Sequence, residues 1–419
     1  MTPSSSSDDT RHKKPKKLKI NKKYRLRRLP IEFGSLLCLY LAGMENIDEK
    51  ACLCALNKIF GFEPKIALAL ISHCGSAEAV FRLRDRQIDE LMGPYSKYRR
   101  LIGKPAVRDA VDELRSCEKM GIAFTGITED TYPQILTECP DPSIGLYIRS
   151  DTPLEDLWPS PAGIAIVGTR DISPYGREWC SRIVEGLANT KDKPLIVSGL
   201  ALGTDICAHR TALEHDLPTI AVMATGADSI YPLRHTDFAE KIRHAPGSAL
   251  ITDYPLGTAP LAIHFLRRNR IIAGLSRATI LIESKLKGGG MMTTKLAFSY
   301  DRDVYALPGR VDDTRSQGCN QLVYNKIAEP ITSIPSLIKS LGMKAASRQT
   351  SEAANGKVGE LAEILLYIRN NRGATIEEIA TACNMTYSKA AAAISTLELD
   401  GLITVDLLQR CSIMHTFAG

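Results

Sequence analysis

Short apolar segments recur through the middle of the chain, and each ends in a turn that contains glycine. Six such runs begin at Ile164, Leu195, Ile220, Ala249, Ile280 and Val304. Helical patterns separate most of them, and strands that alternate with helices build a parallel sheet covered by helices on both faces. The pattern therefore predicts an α/β fold with a doubly wound, mostly parallel sheet over residues 118–341.

Helical periodicity dominates the segments on either side of this sheet. Residues 29–117 have apolar positions at helical spacing with breaks at Gly61 and Gly75, which is typical of small sterile-alpha-motif or helix-hairpin-helix domains. Such domains bind either proteins or DNA backbones, and the pattern does not choose between the two. Residues 342–357 have the composition of a linker. Residues 358–419 show three helical patterns and a short β pattern, which predicts a winged-helix domain.

Charge is unevenly distributed along the 419 residues, whose formal net charge is +6. Residues 1–28 carry eleven Lys/Arg against two Asp, which predicts a basic disordered tail with a net charge of +9. This tail is either an arm that contacts nucleic acid or a solvated extension. The predicted winged helix has four Lys/Arg against seven Asp/Glu, which favours protein docking or regulation over reading of duplex DNA.

Several classes of protein are disfavoured by composition. No apolar run approaches the ~20 residues of a membrane span, and the polar start resembles no signal peptide. The eleven cysteines are irregularly spaced without a C-x-x-C pair, which fits reduced thiols better than disulfides or zinc. We therefore expect a cytoplasmic protein with no membrane association, no metal and no organic cofactor.

Two of the glycine turns carry residues suited to binding an anion. Arg170 closes the first turn after Gly168 and Thr169, and its planar guanidinium at a strand end suits a phosphate. Ser198 and Gly199 open the next helix, although the glycine spacing does not match a dinucleotide-binding motif. In that helix Asp205 is either a cap or a ligand contact, and we expect His209 to be packed or hydrogen-bonded.

Within the predicted sheet domain, basic residues concentrate between His264 and Lys295. Seven Lys/Arg in this stretch accompany one acid, Glu283, and Gly288–Gly290 precede Thr293. A basic segment with an aromatic residue, here Phe265, beside a glycine-rich anion site is the combination that single-stranded nucleic acids favour. We expect Glu283 to orient arginines, and one arginine among 267, 268 and 270 to form a structural ion pair. No hydrolase or phosphate-loop motif is present, so no catalytic residue and no enzymatic activity are predicted.

These motifs closely resemble the DNA-processing protein A family, also called DprA or Smf. The matching segments are Val167-Gly-Thr-Arg170, Ser173-x-Tyr-Gly176, Ser198-Gly-Leu-Ala-x-Gly-x-Asp-x-x-Ala-His209, Gly226-x-Asp-x-x-Tyr-Pro232, Phe265-x-x-Arg-Asn-Arg-Ile-Ile-Ala-Gly-Leu-Ser276, Pro308-Gly309 and Ser316-x-Gly-Cys-Asn320. The resemblance covers roughly residues 125–330 and implies an extended Rossmann-like core. It also implies a protein of natural transformation and DNA recombination that binds and protects incoming single-stranded DNA, helps load the RecA recombinase and forms a homodimer.

Carried onto this sequence, the resemblance makes Arg170 the backbone anchor, places Phe265 to Arg270 along the pocket and makes the glycine turns main-chain donors. The full set of expected DNA-binding residues is Gly168, Thr169, Arg170, Ser198, Gly199, Phe265, Arg267, Arg268, Asn269, Arg270, Lys285, Gly288, Gly289, Gly290 and Thr293. Two positions depart from the family pattern. The last glycine turn has Gly-Gly-Gly-Met-Met-Thr where the family often has Ser-Gly-Ser-Leu-Ile-Thr, and Leu266 stands where Pro is common.

Two other functions remain open from the sequence. The first is a nucleotide-processing hydrolase, similar to phosphoribohydrolases that use a related sheet with a P-G-G-x-G-T turn and a catalytic Glu. The second is a duplex-binding regulator that acts through the winged helix, which the acidic balance of that domain disfavours.

Overall fold

A computed structural model describes residues 48–158, 163–344, 358–399, 402–406 and 408–413. The chain divides into two compact units, residues 1–345 and 346–419. The predicted basic tail, residues 1–28, lies outside the described residues, as does all but the start of the predicted linker 342–357.

The described part of the first unit, from residue 48 onward, begins with five helices. Their first turns are set by local signals: the Asp48 carboxylate accepts a hydrogen bond from the Lys50 N–H, and the Ser76 hydroxyl accepts one from the Ala79 N–H. Gly75, at φ 93°, ends the second helix in the left-handed conformation. The helices are α1 (Glu49–Phe60), α2 (Pro64–Cys74), α3 (Ala77–Phe81), α4 (Asp85–Met92) and α5 (Lys104–Lys119).

A nine-stranded sheet follows. Its strands are β1 (Ala123–Gly126), β2 (Gly145–Arg149), β3 (Gly163–Val167), β4 (Ile196–Ser198), β5 (Thr219–Val222), β6 (Ala249–Thr252), β7 (Ser276–Leu281), β8 (Asp303–Ala306) and β9 (Glu329–Pro330). Their order is β1-β2-β6-β5-β4-β3-β7-β8-β9. The seven strands from β6 to β9 pair in parallel, while β1 and β2 pair antiparallel at one edge. All six predicted runs form strands, which confirms the doubly wound, mostly parallel sheet.

Helices cover both faces of this sheet. They are α6 (Gln134–Thr137), α7 (Pro174–Ala188), α8 (Thr204–Glu214), α9 (Thr236–His244), α10 (Ala262–Gly274), α11 (Gly289–Ser299), α12 (Gln317–Tyr324) and α13 (Ile334–Ser340), with 3₁₀ turns at Leu154–Asp156 and Leu233–His235. Alternate residues of β3 face opposite sides of the sheet: Ile166 lies in the same buried cluster as Ile183 of α7, and Val167 lies in the cluster that contains Ile272 of α10. A strand buried on both faces has no polar side, which explains its continuous apolar run.

The path of the chain creates a crevice between β3 and β7. After β3, the chain builds β4, β5 and β6 on one side, and then crosses over to build β7, β8 and β9 on the other. Connections therefore leave β3 and β7 in opposite directions, and the carboxyl ends of these two strands face an open space. In doubly wound sheets this switch point is where ligands bind.

The described residues of the second unit form a small domain of three helices and three short strands. Its elements are α14 (Val358–Asn370), β10 (Ala374–Thr375), α15 (Ile376–Ala382), α16 (Tyr387–Leu399), β11 (Ile403–Val405) and β12 (Arg410–Ile413). The strands pair antiparallel in the order β10-β12-β11, and Ile368, Ile379 and Ile394 lie in a common core. This arrangement confirms the predicted winged helix.

Across the described ranges, none of the helices combines the length and the apolar character needed to cross a membrane.

Candidate nucleic-acid interface

A cleft of about 470 Å³ opens at the carboxyl ends of β3 and β7. It is lined by Val167, Gly168, Thr169, Arg170, Asp171, Ala201, Asp205, Phe265, Leu266, Arg268, Asn269, Ile272, Ser284, Lys285, Lys287, Gly288, Gly289, Gly290 and Thr293. Eleven of the fifteen residues expected from the sequence are among them. The structure therefore gathers four separate sequence segments, 167–171, 201–205, 265–272 and 284–293, into one site at the switch point of the sheet.

The turn after β3 forms one wall. The Thr169 hydroxyl accepts a hydrogen bond from the Asp171 N–H at 3.1 Å. The main-chain carbonyl of Thr169 accepts one from the Thr204 N–H at 3.1 Å. These bonds fix the turn against the start of α8. Arg170 is exposed, and its guanidinium carbon lies 5.0 Å from the centre of the Phe265 ring. The ring thus supports a cation that remains open to a ligand.

The opposite wall is the loop from Ser284 to Gly288 and the first turn of α11. The Gly288 N–H donates to the Lys285 carbonyl at 2.9 Å, which closes the loop. No side chain caps α11, whose first residues are Gly289 and Gly290. The N–H groups of an uncapped first turn and the helix dipole favour an anion, and Lys285 and Lys287 add positive charge beside them.

The floor of the cleft contains a buried guanidinium without a hydrogen-bonding partner on two of its nitrogens. Arg268 is 4% exposed, and its Nε and Nη1 make no hydrogen bond. Burial lowers the pKa of Arg268 below its ordinary value, and the neighbouring Asp205 opposes that shift. Burial raises the pKa of Asp205, and Arg268 lowers it. A buried polar group without a hydrogen-bonding partner is energetically costly. An anion that enters the cleft can supply the hydrogen-bond acceptors that Arg268 lacks.

Gly199 makes room for this guanidinium. A Cβ on Gly199 would lie 1.8 Å from Nη1 of Arg268 and 2.3 Å from Oδ2 of Asp205. No side chain fits in that space. The Gly199 carbonyl is bonded to the ring of His209, which is fully buried and also contacts the Thr219 hydroxyl at 2.7 Å. His209 is therefore packed and hydrogen-bonded, as expected.

Four residues expected at the site do not line the cleft. Ser198 is buried at the end of β4, and its hydroxyl donates to the Ile166 carbonyl at 2.6 Å. Gly199 lies behind Arg268. Arg267 points towards the α1–α2 connection, where it donates to the Phe62 carbonyl at 2.7 Å and stacks on the Phe62 ring at 4.2 Å. Arg270 is buried in an ion pair with Asp253.

The arginines differ because they lie on different sides of α10. Successive residues of a helix are about 100° apart, so Arg268 and Arg270 point in directions about 200° apart. Arg268 faces the cleft, while Arg270 forms the structural ion pair that was expected of one of the three. Arg270 also donates to the Asp141 carbonyl at 2.6 Å and the Ser143 hydroxyl at 3.1 Å.

Glu283 does not orient arginines, contrary to expectation. Its carboxylate is 1% exposed and accepts hydrogen bonds from the N–H and the hydroxyl of Ser173. Ser173 in turn caps α7 by accepting from the Gly176 N–H at 3.0 Å. Glu283 therefore links the residues that follow β7 to the start of α7.

Some cleft residues were not among the expected set. They are Val167, Asp171, Ala201, Asp205, Leu266, Ile272, Ser284 and Lys287. Asp205 and Ala201 fall inside a motif shared with the family, and Lys287 belongs to the basic stretch, so these three carried a sequence signal. Among the described residues, no group of three His, Cys, Asp or Glu side chains is arranged to hold a metal ion.

Comparison with known proteins assigns the chain to a family. The family model for DNA recombination-mediator protein A matches residues 123–342, and one for winged helix-turn-helix DNA-binding domains matches residues 363–404. Protein Smf of Synechocystis is 33% identical over 70% of this chain and 73% of its own length. The putative DNA processing protein DprA of Mycobacterium tuberculosis is 30% identical over 81% of this chain and 89% of its own.

A solved structure agrees with these relatives. DNA processing protein A of Streptococcus pneumoniae superimposes with a TM-score of 0.59 at 29% identity, over 71% of this chain and 98% of that chain. The chain belongs to the DNA recombination-mediator protein A family, also known as DprA or Smf.

Proposed function

We propose that this protein binds single-stranded DNA through the cleft between β3 and β7, as part of DNA processing during transformation and recombination. The observation that carries the proposal is the buried, partly unpartnered guanidinium of Arg268 at the floor of a cleft edged by Arg170, Lys285 and Lys287. The guanidinium and ammonium groups of the site and the free N–H groups of a helix start all suit a phosphate.

The shape of the site favours a single strand over a duplex. Reading a duplex requires a helix or a β ribbon that projects into a groove. Here the cations lie in a recess built from loops and helix ends, with the Phe265 ring among them. A flexible single strand can enter such a recess and place its phosphates on the cations and its bases near the aromatic groups.

The proposal extends to a binding role without catalysis. The acids that line the cleft are Asp171 and Asp205. Asp171 accepts a hydrogen bond from Arg315 at 3.0 Å, and Asp205 accepts one from the Ala201 N–H at 3.3 Å. Glu283, the best candidate for a catalytic acid, is engaged by Ser173. Incubation with nucleoside monophosphates tests this: we expect no free base, and its release would favour the phosphoribohydrolase alternative.

Family membership supports a wider role. We propose that the protein acts as a homodimer in the cytoplasm, protects incoming single strands and helps load the RecA recombinase on them. Light scattering after size exclusion would give twice the chain's mass of 45.9 kDa. RecA filament assembly on single strands would accelerate when the protein is added, and an unchanged rate would remove the loading role.

The binding proposal is tested by competition. Labelled oligo-dT is bound to the full chain and challenged with unlabelled oligo-dT or with duplex of equal length across a salt series. If the cleft neutralises about 4 phosphates, log K should fall with log salt at a slope of about −3. Arg170→Ala should weaken binding to all sequences alike and reduce the slope by about 0.7. Equal competition by duplex, or unchanged affinity of the variant, would contradict the assignment.

A further inference from the structure

Two neighbouring side chains, Arg170 and Tyr231, pack against the ring of Phe265. Arg170 lies over it with the guanidinium carbon 5.0 Å from the ring centre. The Tyr231 ring meets it in an edge-to-face arrangement, with ring centres 5.5 Å apart and planes inclined at 63°. Phe265 is itself half-buried. It therefore supports a cation and a second ring, and presents little free surface to a nucleobase.

Tyr231 is the exposed member of this row. Its side chain is 44% exposed, and its hydroxyl makes no hydrogen bond within the described part of the chain. It lies in the connection after β5, which is two strands away from β3 in the sheet. Because neighbouring strands are about 4.8 Å apart, the row Arg170–Phe265–Tyr231 leads from the cleft along the carboxyl edge of the sheet for roughly 10 Å.

We propose that Tyr231 is the stacking platform for a base of the strand whose phosphates occupy the cleft. This inference rests on the proposed function and names the part of the nucleic acid that the row contacts. A nucleotide carries a charged phosphate and an aromatic base. The row offers a cation for the phosphate, Arg170, and an exposed ring for the base, Tyr231. A duplex keeps its bases stacked inside, so the platform selects unpaired nucleotides.

The test compares bases with abasic sites. Full-length protein carrying Tyr231→Ala, Tyr231→Leu or Tyr231→Phe is titrated against labelled oligo-dT and against an abasic oligomer of the same length. Alanine or leucine should weaken binding of oligo-dT by roughly 5- to 150-fold, the usual range for a stacked base, while phenylalanine keeps wild-type affinity. On the abasic oligomer all three variants should match wild type. Leucine preserves apolar bulk if alanine disturbs the loop.

Two controls separate this inference from the function it rests on. Tyr95→Ala removes another exposed tyrosine, which is 99% accessible in the loop after α4. This variant should bind both oligomers with wild-type affinity. The salt slope of Tyr231→Ala should equal that of wild type, because no cation is lost. Unchanged affinity for oligo-dT, or equal loss on abasic and base-bearing oligomers, would overturn the role of Tyr231 while Arg170→Ala still reports the cleft. If wild type binds neither oligomer, the proposed function itself fails.

Discussion

Two arginines on α10, two residues apart, should respond in opposite ways to the same substitution. Arg270 is 7% exposed and pairs with Asp253, which is 6% exposed, and it also donates to Asp141 and Ser143. Burial lowers the pKa of Arg270, but Asp253 and Asp141 outweigh that effect and raise it. Arg268 is equally buried, yet its Nε and Nη1 have no partner. Methionine retains the length of either side chain and removes its charge.

The expected magnitudes follow from these surroundings. Arg270→Met leaves the Asp253 carboxylate buried without its cation, a change that typically costs about 3–5 kcal/mol. At about 2 °C of Tm per kcal/mol for a unit of this size, the melting temperature should fall by roughly 6–10 °C. Arg268→Met removes the cation beside the buried Asp205, but two nitrogens of Arg268 have no hydrogen bond to lose, so its Tm should fall by less than that of Arg270→Met. Loss of a charge-assisted bond to phosphate should weaken DNA binding roughly 10- to 150-fold.

The assay is thermal unfolding followed by circular dichroism, paired with fluorescence anisotropy of labelled oligo-dT. Arg270→Met is the matched control for helix position, burial and side-chain volume. The reasoning is refuted if Arg268→Met lowers the Tm as much as Arg270→Met does, or if it binds oligo-dT with wild-type affinity. The first result would make Arg268 a structural residue, and the second would remove it from the binding site.

Three further predictions follow from individual contacts. Gly199→Ala places a methyl group against the Arg268 guanidinium and should reduce oligo-dT affinity as Arg268→Met does; wild-type binding in a titration would contradict this. Burial lowers the pKa of His209 from 6.5 to about 4, so the folded state binds fewer protons and stability is lost as pH falls from 6.5 towards 4. The stability advantage of wild type over His209→Gln, measured by urea unfolding, should therefore shrink over that range, and a constant difference would refute it. Arg267→Ala removes hydrogen bonds to the Phe62 region and should lower the free energy of unfolding by about 1–2 kcal/mol. Because the side chain lies outside the cleft, the affinity for oligo-dT should stay within about twofold of wild type. A larger loss of affinity would place Arg267 in the site.

The apolar runs predicted the central strands because their signal is local. A strand buried on both faces must be apolar throughout, and a glycine turn must follow where the chain reverses. The antiparallel strands β1 and β2 at one end of the sheet carry no comparable signal. They are four and five residues long and pair antiparallel through contacts distant in sequence, Ala123 with Ile148 and Tyr147 with Thr252.

The candidate site was predictable in its segments but not in its side-chain directions. The turn at Arg170, the basic stretch and the glycine run all reach the cleft because strand ends gather at one edge of the sheet. The orientation of each side chain depends on helix phase and on distant partners. Arg267 points away from the cleft because it donates a hydrogen bond to the Phe62 carbonyl. Arg270 points away because it forms an ion pair with Asp253. Glu283 faces Ser173, a partner 110 residues away, which no local pattern indicates.

The central claim is that the cleft between β3 and β7 holds the phosphates of an unpaired strand. The most direct measurement is a crystal structure of the full chain with oligo-dT. The account predicts phosphate oxygens within hydrogen-bonding distance of the Arg170 guanidinium and of the N–H groups of Gly289 and Gly290. A bound strand that lies elsewhere on the protein, with these groups facing only solvent, would contradict it.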